Sequence, residues 1–194
     1  MPGKGRLMLR TVATLSLLFA AMPASAQDSS ALADGFAGAL RGCEEWVLNP
    51  ASWSEGPEPF LAKVALGDSI GLVGSLAAAQ LPPEDLRLAN HYWRINSTPT
   101  AGYALVVSDR LPMCHITGGG SVDLQPVVNA VIAGEAFQSH WRKLDETSQD
   151  GMMSTRFVSV EEPAFEMTVS RAESAGQRQD QVQVLATAIY RLPE

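Results

Sequence analysis

The segment YALVVSDRLPMCHIT, residues 103–117, predicts a β-hairpin. Tyr103, Leu105 and Val107 recur with a period of two, which places their side chains on one face of a strand. The central letters SDRLP contain Ser, Asp and Pro, which favour a turn. The chain then returns as a partner strand, and this second strand carries Cys114.

A helix is predicted upstream of the hairpin, because apolar residues recur there at steps of three or four and form a single stripe. These residues are Leu32, Phe36, Leu40, Cys43 and Val47. The pair Asn49 and Pro50 ends the helix, since the residue before a proline is pushed out of the helical region. Cys43 should therefore point inward from the helix, towards a neighbouring element.

Cys43 and Cys114 are the two cysteines of the chain. In an oxidising compartment an even and minimal cysteine count indicates one disulfide, and the long spacing excludes a CxxC redox or zinc motif. Such a bridge would hold the N-terminal helix on the hairpin and add on the order of 4 kcal/mol in the chain-entropy model. Two free, buried thiols are the alternative.

Residues 1–26 have the features of a secretory signal peptide. Three basic residues precede a short apolar stretch, and Ala24, Ser25 and Ala26 form a small-x-small cleavage site. Cleavage after Ala26 would leave residues 27–194 as a single exported α+β domain, periplasmic or extracellular. The apolar stretch is short for a membrane span, so no span is expected after cleavage. A retained N-terminal anchor is the alternative.

The chain of 194 residues has a net charge of −7 and 46% hydrophobic residues, which fits one folded domain. The predicted leader contains three basic and no acidic residues, so the domain left after cleavage is more acidic still. An acidic domain is a poor partner for nucleic acid or anionic lipid, since both attract clustered Lys and Arg. The acidity indicates solubility, with cationic partners or metal ions as the functional alternative.

Two glycine-containing regions complicate the middle of the chain. Residues 60–81 are apolar but interrupted by glycines, and the sequence does not decide their type. The Gly-Gly-Gly run at 118–120 is expected to break the second hairpin strand and form a plain strand-to-helix turn, since it lacks the Lys and Ser/Thr of a phosphate-binding loop. Ser121 is then a good N-cap for a helix over 122–133, and Gly134 a good stop.

Four further strands are predicted in the second half of the chain, at residues 139–144, 153–160, 165–170 and 181–191. The connections between them are too short for crossover helices, which implies antiparallel pairing. The expected fold class is therefore α+β: a mainly antiparallel sheet, with an N-terminal helix and one internal helix packed on one face.

The letters GDSIG at residues 67–71 follow an apolar stretch and match the pattern G-x-S-x-G. They resemble the block that opens the SGNH, or GDSL-type, ester hydrolases, and also the nucleophile turn of α/β-hydrolases. The resemblance implies that Ser69 is the catalytic nucleophile of a small serine ester hydrolase. The D-x-x-H pattern of the SGNH family is missing, because no histidine of the chain has an aspartate three residues before it.

Other polar and aromatic residues allow a binding role or a structural one. Trp53 and Trp93 either line a binding groove or act as core anchors. The three histidines lack the spacing typical of zinc ligands, and no calcium-loop pattern is present, so no metal site is expected. His115 should face away from the disulfide on its strand, with a solvent-facing or hydrogen-bonded role. The acidic pair Glu44 and Glu45 is expected to be solvated.

These observations favour a small, soluble, exported domain that is a non-enzymatic accessory or binding protein without a cofactor. The reason is that no complete catalytic set accompanies the predicted signal peptide and paired cysteines. Another exported protein is the candidate partner, as for an inhibitor or a chaperone. The alternative function is the ester hydrolase that uses Ser69.

Overall fold

The computed structural model of the chain describes residues 24–149, 151–172 and 182–191. The predicted signal peptide, residues 1–26, lies outside the described residues except for its last three. In the structure these three residues belong to the first helix.

The described chain consists of two similar blocks, each with helices followed by four strands. In order, the elements are α1 (Ala24–Leu48), α2 (Glu58–Val64), β1 (Ile70–Val73), β2 (Asn90–Ile95), β3 (Ala101–Ser108), β4 (Met113–Gly120), α3 (Gln125–Ala133), α4 (Glu135–His140), β5 (Trp141–Gln149), β6 (Met152–Ser159), β7 (Phe165–Ala172) and β8 (Val182–Tyr190). None of the described helices is both long and apolar enough to cross a membrane.

The eight strands form one sheet in the order β1-β2-β3-β4-β8-β7-β6-β5. Every neighbouring pair is antiparallel. Strands β1 to β4 form one meander and strands β5 to β8 form a second. The two meanders meet where β4 pairs with β8, with Cys114 opposite Ala188. The sheet thus consists of two four-stranded halves that are joined at its centre.

The hydrophobic core lies between one face of this sheet and the helices. Helix α1 packs on β3, β4 and β8, and it also contacts α2 and α3. The apolar stripe predicted for α1 is confirmed, since Phe36 and Leu40 are buried in the core. The face predicted for β3 is confirmed as well, because Tyr103, Leu105 and Val107 are buried opposite the helix.

Glycines allow close approach at two positions of this core. A Cβ at Gly42 of α1 would lie 2.9 Å from Val64 Cγ2 and 3.0 Å from Leu105 Cδ2. A Cβ at Gly118 of β4 would lie 2.8 Å from the ring of Tyr103. Each position therefore lacks a side chain because a core neighbour occupies the space.

The predicted disulfide is confirmed. It joins Cys43 of α1 to Cys114 of β4, with 5.4 Å between the two Cα atoms and a sequence separation of 71. Both residues are buried, and the alternative of two free thiols is wrong. The bridge fastens the first helix to the strand at the centre of the sheet.

The fold class is confirmed as α+β with an antiparallel sheet, but the helices differ from the prediction. The described chain contains α2 and α4 besides the N-terminal helix and the internal helix. The segment Glu135–His140 forms α4, so the strand predicted from residue 139 begins at Trp141 instead. A helix of six residues is too short to show a helical period in the sequence.

The glycine run at 118–120 does not break the strand as predicted. It continues β4 and pairs with β3, where Gly118 lies opposite Tyr103 and Gly120 opposite Ala101. Glycine is suited to this strand because a side chain at Gly118 would collide with the Tyr103 ring on the neighbouring strand. The local sequence at 118–120 does not show this contact.

Helix α3 consequently starts at Gln125 and not at residue 122, and Ser121 is not its N-cap. Side-chain oxygens of two other residues accept hydrogen bonds from the backbone N–H groups at the start of this helix. Asp123 Oδ1 accepts the Gln125 N–H at 3.0 Å, and the buried Gln183 of β8 accepts the Leu124 N–H at 2.8 Å. A residue 59 positions away therefore fixes this helix start.

The undecided region 60–81 contains three kinds of structure. It continues α2 to Val64, passes through the 3₁₀ turn Gly67–Ser69, and then forms β1. The chain that follows, up to β2, crosses the face of the sheet opposite to the helices. Pro82 is buried there, and it lines a pocket of about 320 Å³ together with His115 of β4.

Candidate functional site

Glu44 lies on α1, next to the disulfide cysteine, and its carboxylate reaches the start of β5. The indole Nε1–H of Trp141 donates to Glu44 Oε1 at 2.6 Å, and His140 Nδ1 lies 3.4 Å from Oε2. The Glu44 side chain is 23% exposed, whereas that of His140 is 57% exposed. A core tryptophan thus holds one side of the carboxylate, and a surface histidine faces the other. Glu44 is therefore solvated only in part, which corrects the expectation of a fully solvated position.

Burial raises the pKa of the Glu44 carboxyl above its usual range. The Trp141 hydrogen bond and the nearby His140 lower this pKa, and Glu161 raises it further. Burial outweighs the two favourable contacts. When Glu44 is ionised, its surroundings therefore compensate the negative charge only in part.

A pocket of about 430 Å³ opens beside this carboxylate, between α1 and the end of α3 with α4. We call it the Glu44 pocket. Its apolar wall is formed by Ala33, Ala37, Leu40, Val131 and Phe137. A volume of this size falls within the range of small-molecule sites, about 300–1,000 Å³.

The charged groups of the Glu44 pocket are mainly acidic. Three carboxylates line it, those of Asp34, Glu44 and Glu135. The basic side chains in its lining are Arg41 and the surface histidine His140. The Arg41 guanidinium is already engaged, since Nε donates to Lys63 O at 3.2 Å and Nη2 to Val64 O at 2.7 Å. These carbonyls lie at the end of α2. The arrangement suits a ligand with a positive charge.

One helix face of α1 builds this site. Residues 33, 37, 40 and 44 follow one another at steps of four, three and four, so they lie on one side of the helix. Two alanines leave open space beside α4, a leucine adds apolar surface, and a glutamate stands at the far end. A carboxylate on a small, apolar helical face is the sequence signal that could have identified Glu44.

Ser69 ends the 3₁₀ turn Gly67–Ser69, and β1 follows it directly. The order is turn to strand, whereas the resemblance to hydrolases implies a strand that leads into a helix. Ser69 lines a pocket of about 460 Å³ that also includes Asp34, Arg41 and Ser97. Among the described residues that line this pocket there is no histidine, and the carboxylate present is that of Asp34.

Trp53 and Trp93 each pack against another aromatic ring. Trp93 is buried, and its ring centroid lies 5.1 Å from that of Phe60. Trp53 is half-buried and stacks on Trp46 at 4.5 Å. Both rings act as packing anchors of the aromatic cluster around α2, and a binding role for them stays a prediction.

The histidines have separate, hydrogen-bonded environments, as the sequence predicts. His91 Nε2 lies 2.7 Å from Asp109 Oδ2 at the surface. His115 is buried, and its Nδ1 lies 2.8 Å from Thr187 Oγ1 on β8. Within the described residues, no group of three His, Cys, Asp or Glu side chains converges to hold a metal ion.

Comparison of the chain with protein-family models, with curated proteins and with solved structures gives no match.

Proposed function

We propose that this chain is an exported binding protein whose Glu44 pocket takes up a small organic cation with an apolar body. The observation that carries the proposal is the half-buried Glu44 carboxylate at the end of a pocket of about 430 Å³ with apolar walls. A bound cation would neutralise the negative charge of Glu44 and offset the free-energy cost of removing this carboxylate from water.

The walls of the pocket support an apolar body for this ligand. Alanine, leucine and phenylalanine side chains line the pocket beside the carboxylate, and α1 packs against α3 there. Small-molecule sites commonly combine such apolar walls with a few placed polar groups. An alkyl or aryl amine has both required parts.

Export is supported by the disulfide and by the predicted signal peptide. Disulfides persist in oxidising compartments such as the periplasm or the extracellular space. The acidic net charge of −7 favours the approach of a cation over that of an anion. These two features support a binding function in the periplasm or outside the cell.

Titration calorimetry of the folded, oxidised chain with octylamine tests the proposal, with octan-1-ol as the neutral probe of the same chain length. We expect octylamine to bind at least about tenfold more tightly than octan-1-ol, because only the ammonium forms a charge-assisted hydrogen bond with Glu44.

Variants locate this binding. Glu44→Gln keeps the shape and an acceptor for the Trp141 indole but removes the charge, so octylamine affinity should fall about tenfold or more. Glu45→Gln is the matched control, because Glu45 does not line the pocket and instead accepts a hydrogen bond from Asn49. Equal affinities for the amine and the alcohol, or an unchanged affinity in Glu44→Gln, would overturn the proposal.

The ester hydrolase that uses Ser69 is the alternative. We prefer the binding function because the pocket at Ser69 contains no histidine among its described residues. A fluorophosphonate that labels the folded protein, with labelling abolished by Ser69→Ala, would support the hydrolase instead.

A further inference from the structure

A second pocket, of about 650 Å³, lies on the core-facing side of β5, β6 and β7, beside the end of α3. We call it the Arg171 pocket. Trp141 lines both this pocket and the Glu44 pocket. The charged side chains that line the Glu44 pocket are mainly acidic, whereas those that line the Arg171 pocket are mainly basic.

Arg171 of β7 is the buried cation of this second pocket, with 7% of the residue exposed. Its Nη1 donates to Thr155 Oγ1 at 3.2 Å, and its Nη2 lies 3.9 Å from Glu146 Oε2. The Nε atom is buried and has no hydrogen-bond partner. A guanidinium has five N–H donors, and this one uses few of them.

Glu146 does not neutralise the pocket. Its Oε2 accepts hydrogen bonds from Lys143 Nζ at 3.0 Å and from the Thr155 hydroxyl at 2.8 Å. These hydrogen bonds lower the pKa of the Glu146 carboxyl, which therefore stays ionised. The lining of the pocket thus contains one carboxylate and three cations, Arg142, Lys143 and Arg171. The balance is positive in a chain whose net charge is −7.

Apolar surface surrounds these charges. Phe157 and Trp141 form the floor together with Ile132 of α3. Val160 lines the same pocket and is 51% exposed, so apolar area there remains in contact with water. A ligand with an apolar body would cover this area.

From these observations we infer that the Arg171 pocket binds a carboxylate attached to an apolar body, such as the anion of a medium-chain fatty acid. The planar guanidinium matches a carboxylate with two parallel hydrogen bonds. The partly unused N–H donors of Arg171 and the excess positive charge favour this head group. This site is separate from the Glu44 pocket and has the opposite charge preference.

Calorimetry with octanoate and octan-1-ol on the folded, oxidised chain tests the inference. We expect octanoate to bind at least about tenfold more tightly than octan-1-ol. The side-chain Nε–H resonance of Arg171 should shift on addition of octanoate in a ¹H–¹⁵N NMR titration of the unmutated protein. This readout does not depend on a variant.

Two variants locate the site and one serves as the control. Arg171→Gln should weaken octanoate about tenfold or more. Lys143→Gln removes an exposed cation with little risk to folding and should weaken octanoate about threefold. Arg156→Gln should have no effect, because Arg156 pairs with Asp145 and Glu166 and does not line the pocket.

The outcomes separate this inference from the proposed function. Octanoate binding that Lys143→Gln weakens and Glu44→Gln leaves unchanged supports the Arg171 pocket, even if Arg171→Gln fails to fold. Equal affinities for octanoate and octan-1-ol, or an unmoved Arg171 resonance, would overturn it. Neither of these results bears on octylamine binding at Glu44.

Discussion

At the scale of single residues, the buried His115 makes the stability of the fold depend on pH. Its side chain is buried against the segment that crosses the open face of the sheet, and its Nε2 has no hydrogen-bond partner. Burial lowers the pKa of His115 from 6.5 to about 4. The imidazole is therefore neutral in the folded protein at pH 7, with Nδ1 beside the Thr187 hydroxyl.

This depressed pKa predicts a loss of stability in acid. Between pH 6.5 and 4 the unfolded chain binds a proton at His115 that the folded chain does not, so the free energy of unfolding falls as the pH decreases. The contribution of His115 to this loss is about 3 kcal/mol. Urea unfolding from pH 7 to pH 4 should show a shallower loss for His115→Gln than for the unmutated protein. Parallel profiles would contradict the prediction, and His91→Gln, at an exposed site, is the control.

The sequence predicts residue environments well where they follow from one element and poorly where they depend on several. The alternation along β4 was enough to separate Cys114 from His115. The half-burial of Glu44 was not predictable in this way, because Trp141 is 97 positions away and becomes its neighbour only when β5 reaches α1. Ser69 shows the reverse, since a short motif implies a nucleophile but cannot show which groups surround it.

At the scale of elements, the close packing of α1 on its neighbours predicts the effect of a single methyl group. In Gly42→Ala the new Cβ would crowd Val64 and Leu105, and Phe60 lies 3.2 Å away. Overpacking costs about 1–3 kcal/mol, more than the roughly 1 kcal/mol that alanine gains in helix propensity. Chemical unfolding should therefore show a net loss of about 1 kcal/mol.

The matched control for this loss is Gly71→Ala on β1, where a Cβ would meet nothing within 4 Å. Its effect should stay within about 0.5 kcal/mol. An unfolding free energy for Gly42→Ala that equals or exceeds that of the unmutated chain would show that α1 can move away from the sheet. In that case the helix packing would be looser than the contacts indicate.

The elements that the sequence predicts correctly are those with a strong local period. The stripe of α1 and the alternation in β3 are long enough to distinguish a helix from a strand. The ends of β4 and α3 are not local properties, because Gly118 is required by Tyr103 and the start of α3 is held by Gln183. Local signals at 118–121 therefore predict an earlier end for the strand and an earlier start for the helix.

At the scale of the whole molecule, the two halves of the sheet depend on one junction. β4 and β8 are the only strands that connect the two meanders within the described sheet. Helix α1 spans this junction, since it packs on β3, β4 and β8 and also contacts α3 of the second half. The Cys43–Cys114 bridge fastens that helix to β4 at the same place.

Reduction of this bridge should therefore weaken the whole fold and not one end of it. A disulfide with a sequence separation of 71 restricts the unfolded chain, and the chain-entropy model gives about 4 kcal/mol for a loop of this size. Guanidinium unfolding with and without reductant should show a single transition. Reduction should shift this transition to a lower denaturant concentration, equivalent to a loss of about 2–4 kcal/mol in the free energy of unfolding.

The Cys43→Ala/Cys114→Ala variant is the control and should not respond to reductant. If reduction instead splits the transition in two, the halves fold separately and α1 does not couple them; coincident curves would show that the bridge adds no stability.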